Sequence, residues 1–376
     1  MEDLEQFKPD LKKILVFRVG HLGDTIVALP GFWAIRKAYR NATVTLLSNE
    51  DRRNKDYLSP RNILPESDLF DDWLAYPTNV SGIGKAVAVA KTLLEVRRSK
   101  FDAVFYMPPR ERSLKQIQRD MMFFKWAGIQ IVVGADYYRK HRLGLVGERP
   151  LQKVSSEGEF LVDCLRQNGF DEADLHISDL LLTAAEHAAA AEWLEKSKYQ
   201  PGRRLVAIGC GGKRPSRIWD EERFKETVDR LIADHNIFPV ILGGNEERMK
   251  GERLVDHWGT GANAAGELSV REAAALLKRC SIYLGNDTGP MHLAAAVGTR
   301  CVSIFSAADW PGQWVPAGNH KVIRMVVECE GCHLDICPFS NKCLDLVSVD
   351  EVYLVASEML ELGPRSERQR EELIVK

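Results

Sequence analysis

Short runs of consecutive apolar residues, each followed by a turn-forming stretch, recur from one end of this chain to the other. Lys13-Ile-Leu-Val-Phe17 is the first; Thr43-Val-Thr-Leu-Leu47, Ala103-Val-Phe-Tyr106 and Ile129-Gln-Ile-Val-Val133 follow it. Runs this short and this apolar read as strands buried on both faces. Between the first two the spacing lengthens and predicts a helix from about Asp24 to Tyr39. A poorly patterned stretch separates the second run from the third. The alternation of strand and helix argues for a parallel sheet with helices on its faces.

The pattern then pauses and restarts. An alanine-rich helix is predicted around Thr183–Glu195, and Lys198-Tyr-Gln-Pro-Gly-Arg203 breaks the periodicity. Leu205–Ile208, Phe238–Leu242, Ser281–Leu284 and Cys301–Phe305 form a second series of strands, and Val349–Leu362 a last helix. At 376 residues the chain exceeds what one hydrophobic core usually serves. The boundary falls within 175–200, giving a first domain over 1–180, a second over 181–362 and a charged tail over 363–376 that packs back on the first domain. Two open α/β domains facing each other leave a central cleft at the carboxyl ends of their strands, where such folds bind ligands.

Charge narrows the partners. Lys+Arg 51 against Asp+Glu 53 leaves a net −2, so nothing global points to nucleic acid. The acidic start, Met1–Lys8, lacks an apolar signal core, and no apolar run reaches the roughly 18–20 residues of a membrane helix. A cytoplasmic protein is expected, without a transmembrane segment.

Four segments carry candidate chemistry. Arg18-Val-Gly-His-Leu-Gly-Asp24 follows the first strand, and Gly20 and Gly23 permit a tight turn. Asp24 there either caps a helix or serves as a general base. Gly209-Cys-Gly-Gly-Lys-Arg-Pro-Ser-Arg-Ile-Trp219 combines glycines such as Gly211 with Lys213, Arg214 and Arg217, a natural diphosphate clamp. It lacks the Gly-Lys-Ser/Thr of a P-loop. Leu242-Gly-Gly-Asn-Glu-Glu-Arg248 presents Glu246 and Glu247 to ribose hydroxyls or to a helix dipole. Gly285-Asn-Asp-Thr-Gly-Pro-Met-His292 places small residues at a helix start, where unpaired N–H groups and partial positive charge favour phosphate.

A fifth segment is of another kind. Cys329, Cys332, Cys337 and Cys343 lie within 15 residues, the spacing of a compact metal knuckle. They are read either as ligands of a structural zinc or iron or as small packed hydrophobes. Four thiolates would close the coordination shell, so no catalytic role follows.

Taken together, these segments resemble glycosyltransferase family 9, the ADP-heptose:lipopolysaccharide heptosyltransferases. The resemblance rests on Ile14–Thr25 with Pro30, the basic loop ending at Trp219, Leu242–Glu247, Gly266-Glu-Leu-Ser269 and Asp287–Gly298. It implies a GT-B fold and an inverting heptose transfer that requires no cofactor. By resemblance, Asp24 deprotonates the acceptor hydroxyl, and Asp287, Thr288 and Gly289 hold the donor diphosphate. Pro290, Met291 and His292 belong to the same pocket, with Gly23, Gly211 and Lys213 also on the donor. Arg217, standing where the family typically has Lys-x-Trp, neutralises the departing diphosphate, and Glu246 or Glu247 reaches the ribose. Arg110, Arg112, Arg139 and Arg142 are candidates to meet an anionic glycan or glycolipid acceptor at the inner face of a membrane. Alternatives are another nucleotide sugar, a nucleotide-sugar epimerase of the same fold, and a non-catalytic nucleotide-sugar binder. Asp24 in the first domain together with Arg217 and Asp287 in the second speaks against the last, since a binder has little need of a carboxylate across the expected cleft from its phosphate clamp.

Overall fold

The computed structural model describes residues 10–50, 58–65, 68–77, 81–143 and 150–362; the charged tail over 363–376 and the acidic start lie outside them. The chain divides into two units, Met1–Leu145 with Glu157–Ser178, and Val146–Ser156 with Asp179–Lys376. The short piece 150–156 therefore belongs with the second unit. There Val154 N–H donates to the Pro311 carbonyl at 2.8 Å and Leu151 N–H donates to the Glu330 carboxylate.

The first unit contains strands β1 (Lys13–Phe17), β2 (Thr43–Glu50), β3 (Asp72–Pro77), β4 (Ala103–Tyr106) and β5 (Ile131–Val133). Its helices are α1 (Leu22–Ile26), α2 (Leu29–Ala38), α3 (Gly82–Ser99), α4 (Leu114–Trp126), α5 (Ala135–His141) and α6 (Glu157–Arg166). The sheet order is β3-β2-β1-β4-β5, and its pairings are parallel. Ile14, Leu15, Val16 and Phe105 are fully buried, as two-sided strands demand. The single helix expected over 24–39 is two, α1 and α2. Pro30 sits in the first turn of α2, where its missing N–H costs nothing, but it cannot continue a preceding helix. Strand β3 lies in the poorly patterned stretch. It is the sheet edge, with Asp72 and Trp73 at its start, so no apolar run announces it.

The second unit contains β6 (Arg204–Gly209), β7 (Ile237–Ile241), β8 (Ala262–Asn263), β9 (Ile282–Asn286), β10 (Arg300–Phe305) and β11 (Lys321–Arg324). Around them lie α7 (Ala184–Lys196), α8 (Glu221–His235), α9 (Arg248–Trp258), α10 (Val270–Leu277), α11 (Gly289–Ala296), α12 (Lys342–Asp345) and α13 (Val349–Glu361). The predicted alanine-rich helix is α7. Thr183 caps it by accepting from Glu186 N–H, and Glu186 returns the favour by accepting from Thr183 N–H. The parallel sheet runs β11-β10-β9-β6-β7-β8, the doubly wound order. Phe224 and Val228 of α8 and Val352 and Met359 of α13 share one buried core with Val206, Leu284 and Ile304 of its strands.

Both sheets reverse their strand order beside the first strand of each unit, between β1 and β4 and between β6 and β9. A doubly wound sheet opens a crevice at such a point, beyond the carboxyl ends of its strands. The segment 18–24 follows β1, the basic loop 210–219 follows β6, and Asp287–His292 follows β9.

Candidate functional site

In the first unit the turn after β1 is built around Asp24, in the first turn of α1. Gly20 adopts φ +145°, and a Cβ there would fall 2.3 Å from Asp24 Cβ, so only glycine fits. Asp24 Oδ2 accepts the His21 N–H at 2.8 Å. Asn49, at the end of β2, accepts the Gly20 N–H at 2.8 Å and steadies the turn from the neighbouring strand. The helix-capping role of Asp24 is therefore real.

Arg18 sits directly beneath, almost completely buried. Its Nε donates to the Asp24 carbonyl at 2.9 Å, and its Nη2 lies 3.7 Å from Asp24 Oδ1. Its Nη1 donates to the Met107 carbonyl at 2.9 Å and reaches Glu157 Oε1 at 3.4 Å. Glu157, at the start of α6, is fully buried; burial pushes its carboxyl up to about 7, against the pull of Arg18. Neither Arg18 nor Glu157 carries a sequence signal for this pairing, because a buried charge partner is chosen by the tertiary fold.

The four arginines suggested for an acceptor occupy different settings. Arg110 is buried, with its Nε 3.8 Å from Glu157 Oε2 and its guanidinium over the Phe160 ring. Arg112 is paired with Asp120 at 3.0 Å, which also accepts from the Tyr106 hydroxyl. Arg139 pairs with Asp136 along α5, and Arg142 follows that helix, donating to the Leu143 carbonyl.

In the second unit the loop after β6 and the turn after β9 are tied together. Asn286, fully buried, accepts the Trp219 N–H at 3.0 Å and donates to the Gly211 carbonyl at 3.1 Å. Close approach fixes the glycines: a Cβ on Gly209 would fall 1.9 Å from the Tyr283 hydroxyl, and one on Gly211 2.1 Å from Glu247 Cγ. Glu247 bridges to the turn after β7, accepting the Gly244 N–H at 2.8 Å, while burial and neighbouring Glu246 raise its carboxyl. The structure thus distinguishes the two glutamates: Glu247 is packed on the basic loop, and Glu246 folds over Gly244.

Helix α11 begins where the motif places it, with Thr288 as N-cap and Gly289 and Pro290 in its first turn. Met291 and His292 are buried, and His292 packs edge-on against Trp314. Burial and His320 push the imidazole down to about 4, so it is neutral at pH 7 beside Asp287. The Asp287 carboxyl is raised to about 7 by burial and by Asp309, opposed by Arg217 and Arg214. Arg217 is gripped by Asp309 through Nη2, at 2.6 and 2.8 Å, while its buried Nε has no hydrogen-bond partner among the described residues. His333 Nδ1 lies 3.3 Å from the same Asp309. Lys213 is exposed. An arginine donor, backbone amides at a helix start and glycines that allow close approach are the chemistry that phosphate binding requires.

The cysteine-rich segment holds this loop. Ser216 N–H donates to the Asp335 carbonyl at 3.1 Å and its hydroxyl to the Leu334 carbonyl at 2.5 Å. Asn341 donates to the Pro215 carbonyl at 3.0 Å, and Arg214 pairs with Asp335. Cys329, Cys332, Cys337 and Cys343 line a cavity of about 10 Å³ with Ser216 in its wall. Two sulfurs accept backbone N–H groups, Cys343 from Ala307 and Cys337 from Phe339. All four are free thiols, and no group of three or more His, Cys, Asp or Glu among the described residues is arranged to hold a metal ion. Neither Asp309 nor His333 stands out in the sequence; Asp309 lies in a Pro/Gly-rich loop whose pattern says nothing of its pairing.

Comparison with known proteins follows the same outline. The family model for glycosyltransferase family 9 (heptosyltransferase) matches residues 165–341. Lipooligosaccharide heptosyltransferase 2 of Campylobacter jejuni is 22% identical over 170 residues, covering 42% of this chain and 52%, about half, of that relative. Lipopolysaccharide heptosyltransferase 1 of Campylobacter coli is 20% identical over 356 residues, 92% of this chain and 98% of the relative. Among solved structures, a family 9 glycosyl transferase from Veillonella parvula superposes with a TM-score of 0.71 at 18% identity, covering 94% of this chain and 98% of the other. The E. coli heptosyltransferase WaaC, solved with ADP-2-deoxy-2-fluoro heptose, gives 0.57 at 16% identity, with 92% and 99% covered.

Proposed function

We propose, from the premise that this chain belongs to glycosyltransferase family 9, that it transfers a heptose from ADP-heptose to a hydroxyl of a lipopolysaccharide-core-like glycan, inverting the anomeric centre. The observation that supports this reading is the Asn286 tie, which joins the loop carrying Arg217 to the turn that starts α11. Similarity to heptosyltransferases supports the heptosyl donor, and the arginine beside the start of α11 supports a diphosphate there.

The roles follow from charge. Cleaving the bond from sugar to diphosphate leaves negative charge on the leaving oxygen, and preorganised donors are the strongest means of stabilising it. Arg217 and the amides of Thr288 and Gly289 fill that role as fixed donors. Asp24 accepts the proton of the attacking hydroxyl, whose oxygen then bonds to the anomeric carbon as ADP departs. Attack on the face away from the leaving group inverts that carbon, and one base suffices. Arg18 holds Asp24 through its backbone and carboxylate, so the base presents a single orientation.

The test pairs binding with turnover. Calorimetry with ADP, UDP, GDP and dTDP is expected to show selective ADP binding, weakened in Arg217→Ala. Asp24→Asn is expected to keep ADP affinity while transfer falls about 10²- to 10⁴-fold. Preference for another nucleotide replaces the donor; loss of ADP binding in a folded Asp24→Asn protein removes the base assignment.

A further inference from the structure

Helix α3 carries apolar side chains on the side that its own unit does not use. Of its 18 residues only Thr92 and Val96 are buried. Ile83, Val87, Ala90 and Leu94 recur at i, i+4, i+7 and i+11, a stripe about half a turn away from that buried pair. Ile83 is 85% exposed, Val87 47% and Leu94 51%. A stripe of this period normally faces a core or a partner.

Charge decides which partner. The helix bears Lys85, Lys91, Arg97 and Arg98 against one acid, Glu95. Around the helix axis Lys91, Arg97 and Arg98 flank the stripe. Among the described residues none of these five forms an ion pair with another side chain. At its carboxyl end Arg97 donates to the Trp126 carbonyl at 3.4 Å, which brings the end of α4 alongside. The indole of Trp126 is 58% exposed there.

A second copy of α3 would cover the stripe but would set these cations against their own kind. An anionic bilayer supplies hydrocarbon for the stripe and negative charge for its flanks on a single surface. Tryptophan favours that same boundary, with its ring among the headgroups. We propose that α3, with Trp126, is a docking surface for an anionic lipid bilayer, lying in the plane of the headgroups. The apolar stripe enters the acyl boundary and the basic flanks meet lipid phosphates.

Sedimentation of the whole protein with vesicles tests this without reference to sugar transfer. Probes are phosphatidylglycerol–phosphatidylcholine vesicles and vesicles of phosphatidylcholine alone. Binding to the mixed vesicles, weak binding to the neutral ones and a loss in high salt are expected. Ile83→Glu/Leu94→Glu is expected to lower the partition coefficient at least about tenfold, and Lys91→Gln/Arg98→Gln roughly thirtyfold on anionic lipid. Both variants should keep the native circular dichroism and ADP affinity. Ile83→Leu/Leu94→Ile should bind lipid as the parent does. Equal binding by parent and Ile83→Glu/Leu94→Glu, or no binding by the parent, overturns the proposal. A dimer in lipid-free sedimentation equilibrium that the same double variant dissolves assigns the face to a second copy and overturns it as well.

Discussion

At the scale of single residues, the second unit's site is a balance among one guanidinium and two carboxylates. Asp309 holds Arg217, while burial, and Asp309 after it, push the Asp287 proton affinity upward. An acid raised to about 7 is neutral below that pH and anionic above it. The anionic form stands at the entrance of α11, where a diphosphate would lie, so rising pH weakens the donor there. Nucleotide affinity between pH 6 and 8 is accordingly expected to fall more steeply for the parent than for Asp287→Asn, measured by calorimetry in matched buffers. Parallel pH profiles for the two proteins would remove Asp287 from the phosphate site. The helix-start motif makes the place of Asp287 legible in sequence; its partner Asp309 is not, because 22 residues separate them and no periodicity links their chain positions. The same is true of Arg18 and Glu157, joined across 139 residues.

Elements tell a similar story in coarser units. Strands β1, β2, β4, β6, β7, β9 and β10 are read directly from their apolar runs, since a strand covered on both faces has no polar position to hide it. The edges β3 and β11 and the two-residue β8 are not, because one side of an edge faces solvent and tolerates Asp72, Lys321 or Arg324. The edge β5 is read from its run, but begins at Ile131 rather than Ile129 and is partly exposed instead of buried on both faces. The break between α1 and α2 is foreseeable from Pro30 alone. The cysteine-rich segment is the element whose spacing least announces what its backbone does. The segment clasps the loop that carries Arg217, through the Leu334 carbonyl on Ser216, the Asn341 side chain on Pro215 and the Asp335 carboxylate on Arg214. Each neutral hydrogen bond of this kind is worth about 1 kcal/mol. Ser216→Ala and Asn341→Ala are therefore each expected to raise the dissociation constant for ADP by up to about fivefold. The acceptor KM should not move. Unchanged ADP binding in both folded variants would show that the loop holds its shape without the clasp.

On the scale of the whole molecule, each unit closes its own parallel sheet over its own apolar residues, and the proposed nucleotide site lies in the second. A ligand that binds one folded unit protects that unit by mass action. With ADP at about 100 times its dissociation constant, hydrogen exchange in β6, β9 and β10 is expected to slow by the equivalent of about 2.7 kcal/mol. Amides of β1, β2 and β4 should keep their rates; an equal gain in both sheets would show that the nucleotide orders the two units as one. The division into two domains is legible because the strand series restarts after Arg203. The return of 150–156 to the second unit is not, for a short stretch without a pattern carries no sign of its destination. That return has a consequence for the order of synthesis. Leu151 and Val154 leave the ribosome long before Glu330 and Pro311, their partners, exist. For Leu151 the wait lasts through the making of 179 further residues before the strap can be fastened. A nascent chain halted soon after Arg203 would hold a finished first sheet with a loose strap in the chain between α5 and α6. A gene cut cleanly at Asp179 would produce a second unit that has lost its strap for good.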